Sequence, residues 1–215
     1  MVLTSETRHV YPFHWDVVTR AFWHKYPNER LGHVERVDVL DRQLDLQGRL
    51  VTTRLAKVRQ TNVPQWVRSA LSDSTYVFEE TVCDPQLKRL VLRSTNLSLR
   101  SVATVEETCV YSMHPEDDEK TLYEAEAKVT AFVPLLGRQL ESFSASRGAE
   151  TAASGIRVVE DICNDIFQGT FQPAFCAAVD AAAAAAGVAV TDSLAAKATQ
   201  EMAVTAAKRA DSSRQ

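Results

Sequence analysis

The sequence has no apolar run near the roughly 18–20 residues that a helical membrane span requires, so an integral membrane protein of that kind is excluded. Its cysteines are few and badly spaced for metal. Cys83, Cys109, Cys163 and Cys176 form no C-x-x-C pair, and none stands at zinc-finger spacing from a histidine. Their even number permits a disulfide, but nothing in the spacing draws one. Cys83 and Cys109 fall in strand-like runs, where a free cysteine behaves as a small buried hydrophobe. Dense basic charge is also missing. The 24 Lys and Arg are outnumbered by 28 Asp and Glu, for a net charge of −4. That balance argues against a sequence-independent nucleic-acid binder. H-E-x-x-H, G-x-S-x-G and P-loop signatures are all absent. His9, His14, His24, His33 and His114 converge with no carboxylate pattern, so no catalytic or metal-ligating set is assigned. The opening MVLTSETRHVYPF lacks the apolar core of a secretory signal and the Arg/Ser-rich character of a transit peptide, so no cleavable presequence is expected.

What is present is an ordinary globular composition, with 45% hydrophobic and 24% charged residues over 215 positions. That length suits one large domain or two small ones. A chain of this size buries about 70% of its unfolded surface, enough to fold without a staple. Charge is uneven along it. Residues 1–60 hold 10 basic and 7 acidic groups, while residues 61–160 hold 10 and 15. A basic first third in an acidic chain hints at a local anion site, although on charge alone surface scatter is the better reading.

The pattern reads as strand, helix, meander, helix. Residues 2–11 make a first strand. Trp15, Val18 and Phe22, extended by Tyr26, carry helical spacing up to Pro27. Three hairpins follow. His33–Arg42 and Arg49–Arg59 flank Asp45-Leu46-Gln47-Gly48, and Ser74–Cys83 and Lys88–Asn96 flank Asp84-Pro85-Gln86-Leu87. Val102–Met113 and Thr121–Val133 flank the acidic run His114–Glu119. In the last strand Tyr123, Ala125, Ala127, Val129, Ala131 and Val133 share one face, opposite Glu124, Glu126 and Lys128. By the same period Glu106 and Glu107 point to opposite faces and are no acid–base pair. After Pro134, Leu136, Leu140, Phe143, Ile156, Val159, Ile162, Cys163 and Ile166 fit one long amphipathic helix. Gly148 and Gly155 within it weaken it or admit a close neighbour.

The expected class is α+β: a curved antiparallel sheet of about six to seven strands closed by a long C-terminal helix, an arrangement that encloses a cavity. The domain spans residues 1–168. Residues 169–215, rich in alanine, form a tail that is helical or disordered. The insert Gln60–Asp73 is not strand-like. Val63, Pro64, Trp66, Val67 and Leu71 make it either a core-packing connector or a lid over an apolar opening.

Read together, Lys25-Tyr26-Pro27-Asn28, Val37-Asp38-Val39-Leu40-Asp41-Arg42, Gly48-Arg49-Leu50, Thr53-Arg54-Leu55 and Pro64-Gln65-Trp66-Val67 form an ordered set. Val82-Cys83-Asp84-Pro85, Ser94-Thr95-Asn96-Leu97-Ser98 and Val105-Glu106-Glu107 continue it. The set resembles the PRELI-domain family of mitochondrial phospholipid transfer proteins over about residues 1–168. The Ser-Thr-Asn-Leu-Ser and His114-Pro115-Glu116 stretches are most similar to its Slowmo branch.

The resemblance implies a START-like sheet and helix around a lipid tunnel, and no cofactor or bond-changing chemistry. It implies carriage of an acidic phospholipid, most often phosphatidic acid, between the mitochondrial outer and inner membranes. The place would be the intermembrane space, with transient contact to anionic membranes and a small twin Cys-x9-Cys helical protein as heterodimer partner. By motif, the headgroup positions fall on Lys25, His33, Arg59 and Arg147, with Arg54 a weaker candidate that also fits a structural ion pair. Lys25 fits a helix cap as well, and Arg59 and Arg147 fit surface pairing. Thr151, Ser154, Thr61 and Asn62 stand where the family often has further Lys or Asn. Two other occupants remain open at this stage: phosphatidylserine in the same fold, or a neutral hydrophobe in a non-transfer binding module.

Overall fold

Seven strands among the described residues form one antiparallel sheet. They are β1 (Val2–Tyr11), β2 (Val34–Leu44), β3 (Leu50–Arg59), β4 (Ser74–Asp84), β5 (Arg89–Asn96), β6 (Ala103–His114) and β7 (Asp117–Ala131). The computed structural model describes residues 2–59, 74–132 and 137–172, apart from the side chains of residues 137–147 and 149. The chain divides into two units, Met1–Phe171 and Gln172–Gln215, and the fold described is that of the first. Val63, Pro64, Trp66, Val67 and Leu71 lie outside the described residues. So do the side chain of Arg147 and the alanine-rich tail beyond residue 172.

The sheet order is β1-β7-β6-β5-β4-β3-β2. Six strands meander, and the first pairs with the last, from Val2 opposite Thr130 to Tyr11 opposite Thr121. β1 and β2 are therefore opposite edges. The link between them carries α1 (Trp15–Trp23) and a 3₁₀ turn (Glu29–Leu31). α2 (Gly137–Gln168) packs on β1, β7 and α1.

Local chemistry explains the hairpins. The Asp45 carboxylate accepts from the backbone N–H of Gln47 and Arg49, both at 2.9 Å, and Gly48 takes a φ of +75° that a side chain would oppose. The Asp84 carboxylate accepts from the N–H of Gln86 and Leu87, both at 2.9 Å. The third connection is shorter than the acidic run suggests. His114 Nδ1 accepts from the N–H of Glu116 and β7 begins at Asp117, so three of the acidic residues expected in the turn, Asp117, Asp118 and Glu119, start the strand.

Helix α1 also ends earlier than Pro27 implies. Its last residue is Trp23, and the backbone N–H groups of His24 and Lys25 close it on the Ala21 and Phe22 carbonyls at 3.0 and 3.3 Å. The residue before a proline resists the helical conformation, so the chain leaves the helix in advance. Lys25 and Tyr26 consequently lie beyond the helix rather than on its last turn.

The core sits where α1 and α2 meet β5–β7. Trp15, Val18, Ala21 and Phe22 of α1 and Val158, Val159, Ile162 and Cys163 of α2 are buried against Tyr11, Leu90, Cys109, Tyr111, Tyr123 and Ala125. Each large apolar side chain buried this way contributes about 1.5–3 kcal/mol. Trp15 adds a hydrogen bond from its indole N–H to the Tyr111 carbonyl at 3.1 Å. The parity of β7 holds from Tyr123 to Ala131: Tyr123, Ala125, Val129 and Ala131 are buried, Ala127 is half-buried, and Glu124, Glu126 and Lys128 are exposed. Leu122 before them is buried on the other face, and Val133 lies outside the described residues.

Candidate functional site

The strand registers place four polar side chains in one row across the inner face of the sheet. Arg54 of β3 stands opposite Glu79 of β4, Glu79 opposite Ser94 of β5, and Ser94 opposite Glu107 of β6. Glu107 shares its face with Cys109 and Tyr111, both buried, whereas Glu106 is exposed on the other side beside Lys128.

Arg54 and Glu79 form a buried ion pair, 2.8 Å from Arg54 Nη2 to Glu79 Oε2, with side-chain exposures of 7% and 11%. The guanidinium lies 5.2 Å from the Phe22 ring and 5.6 Å from the Trp23 ring, a stacking that suits its weak hydration. The pair is in ionic contact, but its angles leave Glu79 Oε2 without a formal hydrogen bond. Arg54 Nε and the Oγ1 of Thr81, in the adjoining inner row, also have no hydrogen-bond partner among the described residues. Buried polar groups are nearly always satisfied. Three such atoms on neighbouring inner positions of β3 and β4 suit a polar ligand.

Lys25 enters from above the sheet. A methyl group built on Gly155 of α2 would stand 2.7 Å from its Nζ and 3.3 Å from its Cε. The ammonium also lies 5.3 Å from the centre of the Tyr26 ring. Burial alone would favour the neutral amine. The negative potential of the Tyr26, Cys109, Glu79 and Glu107 groups outweighs it and holds the Lys25 pKa above its ordinary value. Glu107 moves up as well. Burial raises it against the opposing pull of Lys25 and a hydrogen bond with Cys109, and Glu79 adds to the rise. Burial pushes the Cys109 thiol up to about 12, so it is no nucleophile.

The other sequence candidates fall elsewhere. Arg59 lies at the end of β3 on the outer face with Lys57, and both bond the Glu35 carboxylate at 2.8 Å. The structure does not bring it together with Lys25. His33 sits in the turn before β2, where its carbonyl accepts from the Arg59 N–H at 2.7 Å. Arg147 lies on the backbone of α2. The structure thus groups Lys25 with Arg54 and adds Glu79 and Glu107, to which sequence reasoning assigned no site role; Gly155, where a close neighbour was expected, is the space for Lys25. Strand parity was the available signal. Glu107 alternates with Cys109 and Tyr111, and Glu79 with Thr81 and Cys83.

Residues 16–170 match the PRELI-like family profile. The chain is 44% identical over 147 residues to "Protein UPS2, mitochondrial" of Saccharomyces cerevisiae, covering 66% of this chain and 64% of that protein. The match thus spans less than two thirds of the yeast protein. The chain is 32% identical over 163 residues to "Protein slowmo homolog" of Dictyostelium discoideum, covering 75% and 71% respectively. Among solved structures, the Zhui aromatase/cyclase from Streptomyces sp. R1128 superposes with a TM-score of 0.56 at 9% identity, over 77% of this chain and 95% of that one. TTHA0849 from Thermus thermophilus gives 0.54 at 14% identity, over 76% and 99%. At such identities the likeness is one of fold: a helix gripped by a seven-stranded antiparallel sheet.

Proposed function

Because the chain belongs to the PRELI-like family, we propose that it carries an acidic phospholipid, phosphatidic acid foremost, between the outer and inner mitochondrial membranes. Its relatives support the coarse role, mitochondrial lipid transfer. The observation that carries the finer reading is the Lys25 ammonium held between α2 and the inner face of the sheet, kept charged by its surroundings. A phosphate headgroup needs cationic donors at a site shielded from water. Lys25 supplies one, and the unpartnered Arg54 Nε, with the Thr81 hydroxyl beside it, supplies further donors.

Carriage is a physical act in this reading. Exposing an acyl chain to water costs about 0.8 kcal/mol per CH₂, and the fold's task is to cover the chains while the headgroup is held. No bond is made or broken. The segment containing Val63, Pro64, Trp66, Val67 and Leu71 acts as the gate, and Arg147 on the long helix adds positive charge to the headgroup end. The protein works in the intermembrane space, touching anionic membranes transiently, as a heterodimer with a small twin Cys-x9-Cys protein. Nucleic acid is no partner in this reading.

A second reading is phosphatidylserine, favoured by Glu79 and Glu107, which match the ammonium of a serine headgroup. Mass spectrometry of lipids co-purified with the chain and its partner tests both. Intact phosphatidic acid supports the first reading and intact phosphatidylserine the second. Recovery of a neutral hydrophobe, or of chemically altered lipid, overturns transfer of acidic phospholipid.

A further inference from the structure

The inner-face cluster is electrically balanced before any ligand arrives. Lys25 and Arg54 contribute two positive charges, and Glu79 and Glu107 two negative ones, all along one sheet row and the segment above it. A phosphate entering beside Lys25 therefore meets no net positive charge. It meets two carboxylates, one of which must lose its charge or move away for the anion to be held in a shielded site.

The two carboxylates are not equivalent. Glu79 is committed to Arg54 at 2.8 Å. Glu107 has no cation at ion-pair distance among the described residues. The groups facing it are Cys109 on its own strand, Tyr123 on β7, Glu79 on β4, and Lys25 beyond α1. Of these Lys25 is the one cation, and a hydrogen bond with Cys109 also favours the charge; an incoming phosphate takes Lys25 for itself and leaves Glu107 with the thiol alone. The remaining neighbours are neutral or anionic.

We infer that Glu107 is the counter-charge that an anionic headgroup neutralises, so that lipid binding at Lys25 is coupled to uptake of one proton by the Glu107 carboxylate. The proton comes from solvent, the new bond is O–H on Glu107, and the Lys25 ammonium pairs with the phosphate. Burial, which already lifts the Glu107 pKa, works in the direction of the exchange. Glu107 is thus a positioning residue that makes loading favour acid and release favour alkaline conditions. The inference rests on the acidic-phospholipid reading above.

The test uses phosphatidylcholine vesicles containing phosphatidic acid and follows extraction of that lipid by the partner-bound protein across pH. Glu107→Gln keeps the shape and removes the titration. The ratio of Glu107→Gln to wild-type affinity is expected to grow with pH, by up to about tenfold per unit, the limit for one proton. Taking the ratio cancels the lipid's own second ionisation. Glu106→Gln, one residue away on the outer face, should track wild type. Calorimetry of wild type in two buffers of different ionisation heat counts the same proton without a variant. A ratio constant with pH, a Glu107→Gln protein weaker throughout, or no proton taken up each overturns the inference and leaves acidic-lipid carriage standing. Failure of wild type to extract phosphatidic acid at any pH overturns both.

Discussion

Gly155 of α2 and the Lys25 ammonium occupy each other's space: a methyl group at position 155 would stand 2.7 Å from Nζ. The contact is with the tip of a flexible side chain, so an alanine there moves Lys25 rather than the backbone. Alanine also favours a helix interior over glycine by about 1 kcal/mol. Gly155→Ala is therefore expected to hold or raise the melting temperature while reducing transfer of phosphatidic acid between liposomes. Lys25→Ala should reduce transfer as well, and the double variant should be no worse than Lys25→Ala alone. A second, additive loss in the double variant would show that position 155 acts by another route.

Most of the fold could be read from periodicity, because this sheet has one wet face and one dry one. The alternation along Tyr123–Ala131 and the stripe Val159–Ile162–Cys163 are strong signals of that kind. The site was less legible for the same reason. A carboxylate such as Glu107 on the dry face looks, residue by residue, like its exposed neighbour Glu106. Its alternation with Cys109 and Tyr111 is the local hint, and the register that aligns it with Ser94, Glu79 and Arg54 brings it into the site. Arg59 illustrates the reverse. Its motif position suggests a headgroup role, but one step of strand parity from Val58 turns it outward to Glu35.

The buried Arg54–Glu79 pair sets up a double-mutant cycle. Removing one partner leaves a charge unpaired in the interior, so Glu79→Leu or Arg54→Met should each cost about 3–5 kcal/mol in urea unfolding. Replacing both removes the stranded charge, and the double variant is expected to recover much of the loss. Simple additivity of the two costs would contradict a pair that acts as a unit. Transfer should remain impaired in the double variant, since the donors at this end of the row are gone.

Asn96 gives the Ser94–Ser98 stretch a structural role beside the place of Ser94 in the inner row. Its Nδ2 donates to the Ser98 carbonyl at 2.7 Å and the Ala103 carbonyl at 3.0 Å, and its Oδ1 accepts from the Val105 N–H at 2.7 Å. The Ser98 hydroxyl in turn accepts from the Tyr76 N–H at 3.0 Å. One side chain thus clamps the β5–β6 connection. Asn96→Ala should destabilise the protein by about 1–3 kcal/mol, the net worth of the half-buried hydrogen bonds it removes. Asn96→Asp keeps the acceptor and loses the donors, and should fall between. Lipid preference should be unchanged in both, as read by transfer normalised to folded protein.

Glu35 sets a pH dependence of stability separate from that of binding. Hydrogen bonds from Lys57 and Arg59, with a third from Ser74, hold its carboxyl down at about 2. A carboxylate whose pKa is lower folded than unfolded takes up protons more readily in the unfolded chain, so its stabilisation is present above the unfolded value and lost as pH falls. The advantage of wild type over Glu35→Gln in melting temperature should therefore be complete at neutral pH. It should shrink below the unfolded pKa of 4.5 and vanish near 2. Arg59→Ala should narrow the same window by removing one donor, yet leave phosphatidic acid transfer close to wild type, because its guanidinium is engaged on the outer face. A loss of transfer in Arg59→Ala as large as in Lys25→Ala would return Arg59 to the headgroup site and require the Glu35 contact to break when lipid binds.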